Sequence, residues 1–116
     1  MSEERRYDLE ERTEKFSLRV RDLCILLKQD IINREYIIQL IRSAGSVGAN
    51  YIEANDSLSK KDFLMRVKIS KKETKESIYW LRLLDVPEEL EVRRTELVAE
   101  ATELMNILGA ILRNSQ

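Results

Sequence analysis

Histidine is absent from this 116-residue chain. No imidazole is therefore available for acid–base catalysis, for a Ser-His-Asp triad, or for the Glu-x-x-His ligands of a di-iron bundle. Cysteine occurs once, so no disulfide can form within one chain. Cys24 stands in the apolar run Leu23-Cys24-Ile25-Leu26-Leu27, which predicts a buried structural thiol, since a reactive one needs a basic, exposed setting. There is no zinc-ligand spacing, no phosphate-cradling glycine loop and no nucleophile elbow. No apolar run approaches the roughly 20 residues that span a bilayer. Met1-Ser2-Glu3-Glu4-Arg5-Arg6 lacks the apolar stretch of a secretory signal. These absences predict a soluble, cytoplasmic protein with no membrane partner and no small-molecule substrate.

One proline, three glycines, 6% aromatic and 35% charged residues suit a helical bundle better than a sheet protein. At this length one domain over residues 1–116 is expected, large enough to bury a single core without staples. The formal charge is only −1, which argues weakly against a dedicated nucleic-acid binder. The charge is unevenly placed, however. Residues 58–84 carry eight Lys/Arg against three Asp/Glu, and residues 85–116 three against seven, so a basic and an acidic face share one small body.

Four amphipathic segments are legible, over about 8–30, 34–55, 59–84 and 89–113. In the first, Phe16, Val20, Leu23, Leu27 and Ile31 repeat at three- and four-residue steps. The second has Asn33 as a plausible N-cap and Ile37, Leu40, Ile41, Ala44, Val47, Gly48, Tyr51 and Ile52 as its apolar face. Ser59 caps the third, with Asp62 at the reciprocal position, and Phe63, Val67, Ser70, Thr74, Ile78 and Leu81 follow. Pro87 separates it from a fourth stripe of Leu97, Ala101, Leu104, Met105, Leu108, Ile111 and Leu112. Glu88, Glu89 and Glu91 suit the positive end of that helix. Short connections predict an all-α, antiparallel, up-down-up-down four-helix bundle.

Three features could carry function. Helix two holds two glycines in a run of small residues, each costing roughly 1 kcal/mol relative to alanine. Arg42, Gly45, Ser46, Ala49 and Glu53 lie on one side, and serve either a tight crossing within the bundle or a contact between subunits. In helix three, Ile69, Glu73, Glu76, Trp80 and Leu84 share a face. Two part-buried carboxylates need partners, and Arg42 is the expected one. A structural ion-pair network is the plain reading, and an all-carboxylate site for a hard cation the remaining metal option. The third feature is a basic ridge of Lys61, Lys68, Lys72, Lys75 and Arg82 with Tyr79 among them, flanked by Lys60 and Lys71. It could be a solvated face, a dock for the acidic stripe Glu89, Glu96, Glu100 and Glu103 of helix four, or a contact for phosphates and an unpaired base.

The segment Arg42-Ser43-Ala44-Gly45-Ser46-Val47-Gly48-Ala49-Asn50-Tyr51-Ile52-Glu53-Ala54 resembles the signature helix of the bacterial four helix bundle protein family, also described as 23S ribosomal RNA intervening-sequence proteins. The likeness continues through Ser59-Lys60-Lys61-Asp62-Phe63, Lys72-Glu73, Glu76 and Tyr79-Trp80-Leu81-Arg82-Leu83-Leu84, with Phe16 and Arg19 in helix one. It implies a four-helix bundle assembling into a homopentameric ring, of uncertain function and with no catalytic residues to transfer. Some members are encoded within inserts of ribosomal RNA genes. Related accessory variability determinant proteins of diversity-generating retroelements use a basic pentamer to bind nucleic acid and a reverse transcriptase.

The expectation is a non-enzymatic interaction module without cofactor or metal, whose partner is itself. Arg42, Asn50, Glu53, Glu73, Glu76 and Trp80 would hold helices and subunits in register, while Gly45, Gly48 and Ala49 permit close approach. The alternative is an RNA-binding accessory protein, acting on RNA or alongside a nucleic-acid-processing protein through Lys61, Lys68, Lys72, Lys75, Tyr79 and Arg82.

Overall fold

A computed structural model describes residues 3–115, with side chains from residue 8 onward. Four helices follow one another: α1 (Glu3–Ile25), α2 (Ile31–Asn55), α3 (Lys60–Leu83) and α4 (Glu91–Asn114), the last preceded by one 3₁₀ turn over Glu88–Leu90 after Pro87. Among the described residues there is no strand. Consecutive helices run antiparallel. Glu10 near the start of α1 accepts from Asn55 at the end of α2 (2.8 Å), and Asn33 at the start of α2 meets Asp85 beyond the end of α3. Arg12 of α1 reaches Glu100 of α4. α2 packs most extensively on α3, and α1 packs more on α2 than on α4.

The core forms where the 3.6-residue period of each helix turns inward. Phe16, Val20, Leu23 and Leu27 meet Leu40, Val47, Tyr51, Val67, Leu81, Leu97, Leu104 and Leu108, all buried. Cys24 belongs to this layer as expected, and burial pushes its thiol up to about 11.

The first helix boundary differs from the expectation. α1 ends at Ile25, because the Gln29 side chain folds back and donates to the Cys24 and Leu27 carbonyls (3.2 and 3.0 Å), satisfying the orphan acceptors of the last turn. Asp30, not Asn33, is the N-cap of α2, its Oδ1 accepting from the Asn33 amide at 2.9 Å. Ile31 accordingly leaves the first helix's stripe and opens α2 with its side chain 75% exposed. Ser59 caps α3 as predicted, accepting from the Asp62 amide at 3.1 Å.

Asn33 does something else. It is fully buried, donates through Nδ2 to the Lys28 carbonyl (3.2 Å) and the Asp85 carbonyl (2.9 Å), and accepts the Asp85 amide on Oδ1 (2.9 Å). One side chain thus clamps the α1–α2 turn to the α3–α4 turn. Beside it, Arg94 donates to the Leu81 (3.3 Å) and Leu84 carbonyls at the negative end of α3, held by Glu91 at 2.7 Å. Asn33→Ala is expected to cost about 2–3 kcal/mol in urea unfolding, against about 1 kcal/mol for Asp30→Ala. A loss below about 0.5 kcal/mol for Asn33→Ala would show that the clamp carries no stability.

Candidate functional site

The two glycines of the small-residue segment have different neighbours. A methyl group at Gly48 would lie 2.9 Å from Thr13 Oγ1, and Thr13 is buried with its hydroxyl committed to the Leu9 carbonyl (2.8 Å). Gly48 therefore lets α1 cross α2 closely. A methyl at Gly45 would meet nothing nearer than Ser17 Oγ at 4.0 Å. Gly48→Ala is expected to destabilise by about 1 kcal/mol net, as overpacking outweighs the gain in helix propensity. Gly45→Ala is expected to stabilise by up to about 1 kcal/mol. Equal gains in thermal unfolding would contradict the distinction.

Gly45 and Ala49 floor an open trough of about 540 Å³ between α1 and α2, lined also by Thr13, Ser17 and Ile52 and edged by Glu10, Glu11 and Glu14. The outer face of α2 continues it. Ile31, Ile38, Gly45 and Ile52 recur at seven-residue steps, with Ile41 beside them. The isoleucines at 38, 41 and 52 are 53%, 41% and 44% exposed. Leu18 and Ile25 of α1 are exposed as well. The expectation that Ile41 and Ile52 belong to the core is thus corrected: Asn33, Leu40, Ser43, Ala44, Val47, Tyr51 and Ala54 fill the inward face, leaving α2 a second apolar stripe outside.

The α2–α3 seam is narrow and lined by hydroxyls. Ser43 and Ser77 share a hydrogen bond at 2.9 Å, Ser77 donates to the Glu73 carbonyl (2.8 Å), and Ser70 to the Val47 carbonyl (2.7 Å). Asn50 donates to the Ser46 carbonyl (2.9 Å) and accepts from Arg66 (3.2 Å). Along the outer edge, Arg42 pairs with Glu76 at 2.6 Å, and Trp80 Nε1 donates to the same oxygen at 3.2 Å. The arginine is half exposed, so this pair contributes about 1 kcal/mol or less. Trp80 packs against Tyr36 and edge-on against Tyr79. Glu53 is exposed.

Glu73 is left out of that network. Its Oε2 is buried without a hydrogen-bond donor among the described residues. Burial, then the neighbouring Glu76, pushes its carboxyl above the ordinary value of 4.5, with Arg42 and Lys72 opposing. A raised acid adds stability while protonated, and that stability is lost as pH rises through the raised value. Glu73→Gln is therefore expected to raise Tm at pH 7, with the advantage shrinking as pH falls toward 4.5. A Tm at pH 7 equal to or below that of the unsubstituted protein would contradict this.

The ridge residues Lys61, Lys68, Lys72, Lys75, Tyr79 and Arg82 all point outward along α3, with Met65 and Leu83 exposed between them. Among the described residues, none of these cations holds an ion pair. The proposed dock on helix four does not form, because Glu100 and Glu103 are taken by Arg12. Its guanidinium binds Glu100 bidentately, both bonds 2.8 Å, and Glu103 at 3.1 Å. The Arg12 hydrogen bond holds the Glu100 carboxyl below its ordinary value, so this lock weakens as pH falls through that lowered value. The ridge borders α4, where Arg82 lines a shallow cavity with Glu91, Arg94, Thr95 and Val98. The trough thus lies between α1 and α2, and the ridge on the outer side of α3 beside α4. Among the described residues, no three Cys, Asp or Glu side chains are grouped to hold a metal ion, and no helix is long and apolar enough to cross a membrane.

The described residues form an all-α four-helix bundle with a close α2–α3 seam and two exposed faces. Residues 5–112 match the 23S rRNA-intervening sequence protein family, and the chain belongs to it. It is similar to a crystal structure of a protein of unknown function from the S23 ribosomal protein family of Bacteroides thetaiotaomicron, at 26% identity and a TM-score of 0.76, covering 93% of this chain and 97% of that one. No curated protein matches the sequence.

Proposed function

We propose that this protein is a non-enzymatic interaction module that assembles with copies of itself into a closed ring, of five copies by its family resemblance. One observation carries the reading: the apolar stripe of Ile31, Ile38, Ile41 and Ile52 on the outside of α2, around the bare backbone of Gly45 and flanked by Leu18 and Ile25. An amphipathic helix with a second, solvent-facing apolar stripe has surface for another partner. Glycine and alanine at its centre let that partner approach closely. Light scattering of the chromatographed protein should give a mass several times 13.7 kDa. Gly45→Arg, at a position with free space, should reduce that to the single-chain mass with helicity and Tm retained. A monomeric natural sequence, or an unchanged assembly in Gly45→Arg, would overturn the reading.

The ridge, which holds no ion pair among the described residues, and its half-exposed Tyr79 favour a second reading, RNA binding. Affinity for a labelled structured RNA would then fall linearly in log–log salt and vanish when Lys68, Lys72 and Lys75 become Glu. Absence of binding at low salt would remove it.

A further inference from the structure

We infer that the basic ridge of α3 in one copy seats in the acid-edged trough between α1 and α2 of the next, making the contact between copies head-to-tail. This rests on the self-assembly proposed above and names the two surfaces that meet. The trough side offers apolar matter at Leu18, Ile38, Ile41 and Ile52, and carboxylates at Glu11 and Glu14 along its lip. The ridge offers the complementary set. Met65, Tyr79 and Leu83 are exposed alongside Lys61, Lys68, Lys72 and Lys75, and these ammonium groups hold no carboxylate among the described residues. Both surfaces run along the length of a helix, from residue 31 to 52 on α2 and from 61 to 82 on α3. Each is therefore about 32 Å long at 1.5 Å per residue.

The trough lies between α1 and α2 and the ridge on the outer side of α3 beside α4, so one chain cannot seat its own ridge in its own trough. A contact that set ridge against ridge, or acidic lip against acidic lip, would bring like charges together. Head-to-tail pairing sets opposite charges together, and repeated rotation closes a ring.

Charge exchange tests the pairing. Glu11→Lys with Glu14→Lys reverses the lip and spares Glu10, whose carboxylate holds Asn55. Lys68→Glu with Lys75→Glu reverses the ridge and spares Lys72, which opposes the raised Glu73. In analytical ultracentrifugation each double variant should associate at least roughly 100-fold more weakly than the natural sequence. The fourfold variant, whose net charge is again −1, should recover to within about tenfold.

Circular dichroism confirms that each variant folds. Natural-strength assembly in either double variant overturns the pairing and leaves self-assembly standing. So does a folded fourfold variant that fails to recover. A ridge reversal that abolishes RNA binding without changing assembly also overturns it, and gives the ridge to nucleic acid. A monomeric natural sequence overturns both this pairing and the reading beneath it.

Discussion

The rest of the structure depends on how closely α2 is approached by its neighbours. α3 comes in along a row of Ser43, Ala44 and Val47 against Ser70, Thr74 and Ser77, where larger residues would force the helices apart. Serines bury little apolar surface, so the seam holds only because each hydroxyl has a partner in the neighbouring helix or its own backbone. α1 crosses where Gly48 removes the side chain that Thr13 would strike. With two sides of α2 taken this way, its third side cannot also be covered by the chain, and the isoleucines there remain in water. The apolar outer face is a geometric consequence of the tight inner ones.

Charge follows the same division. Three arginines serve the bundle's own framework: Arg12 on Glu100, Arg42 on Glu76, and Arg94 on the carbonyl end of α3 and Glu91. A planar guanidinium presents its donors in a rigid fork that matches a carboxylate bidentately, where a lysine offers a point charge. Among the described residues Lys61, Lys68, Lys72 and Lys75 of α3 hold no ion pair and stand exposed, where a contact with another molecule would draw on them.

Much of the fold was legible because it is written in local terms. The apolar period of each helix, the Ser59 cap and Pro87 needed no tertiary knowledge, and the signature segment with its helix-three companion placed the chain in its family. The α1–α2 boundary was missed because Asp30 and Asn33 are equally good caps on paper. Only the burial of Asn33 against Asp85, 52 residues away, separates them. The Arg12–Glu100 lock spans 88 residues and leaves no periodic trace. The outer stripe was misread for a specific reason: isoleucines on both flanks of the core row extend an inward pattern, and the seven-residue repeat of 31, 38, 45 and 52 was the signal that would have split them. Glu73 and Glu76 read as a pair, yet among the described residues Glu76 receives Arg42 and Trp80 while the buried Oε2 of Glu73 receives no donor, a difference that only the packed structure reveals.

Self-assembly as proposed covers the outer face of α2. Hydroxyl-radical footprinting of the unsubstituted protein reads this directly, side chain by side chain. In the isolated chain Ile38, Ile41 and Ile52 are 53%, 41% and 44% exposed, and Leu58, in the α2–α3 turn, is fully exposed. Strong oxidation of Leu58 is expected, with all three isoleucines shielded well below what those exposures allow. Oxidation of the isoleucines in proportion to their exposure in the single chain would contradict it.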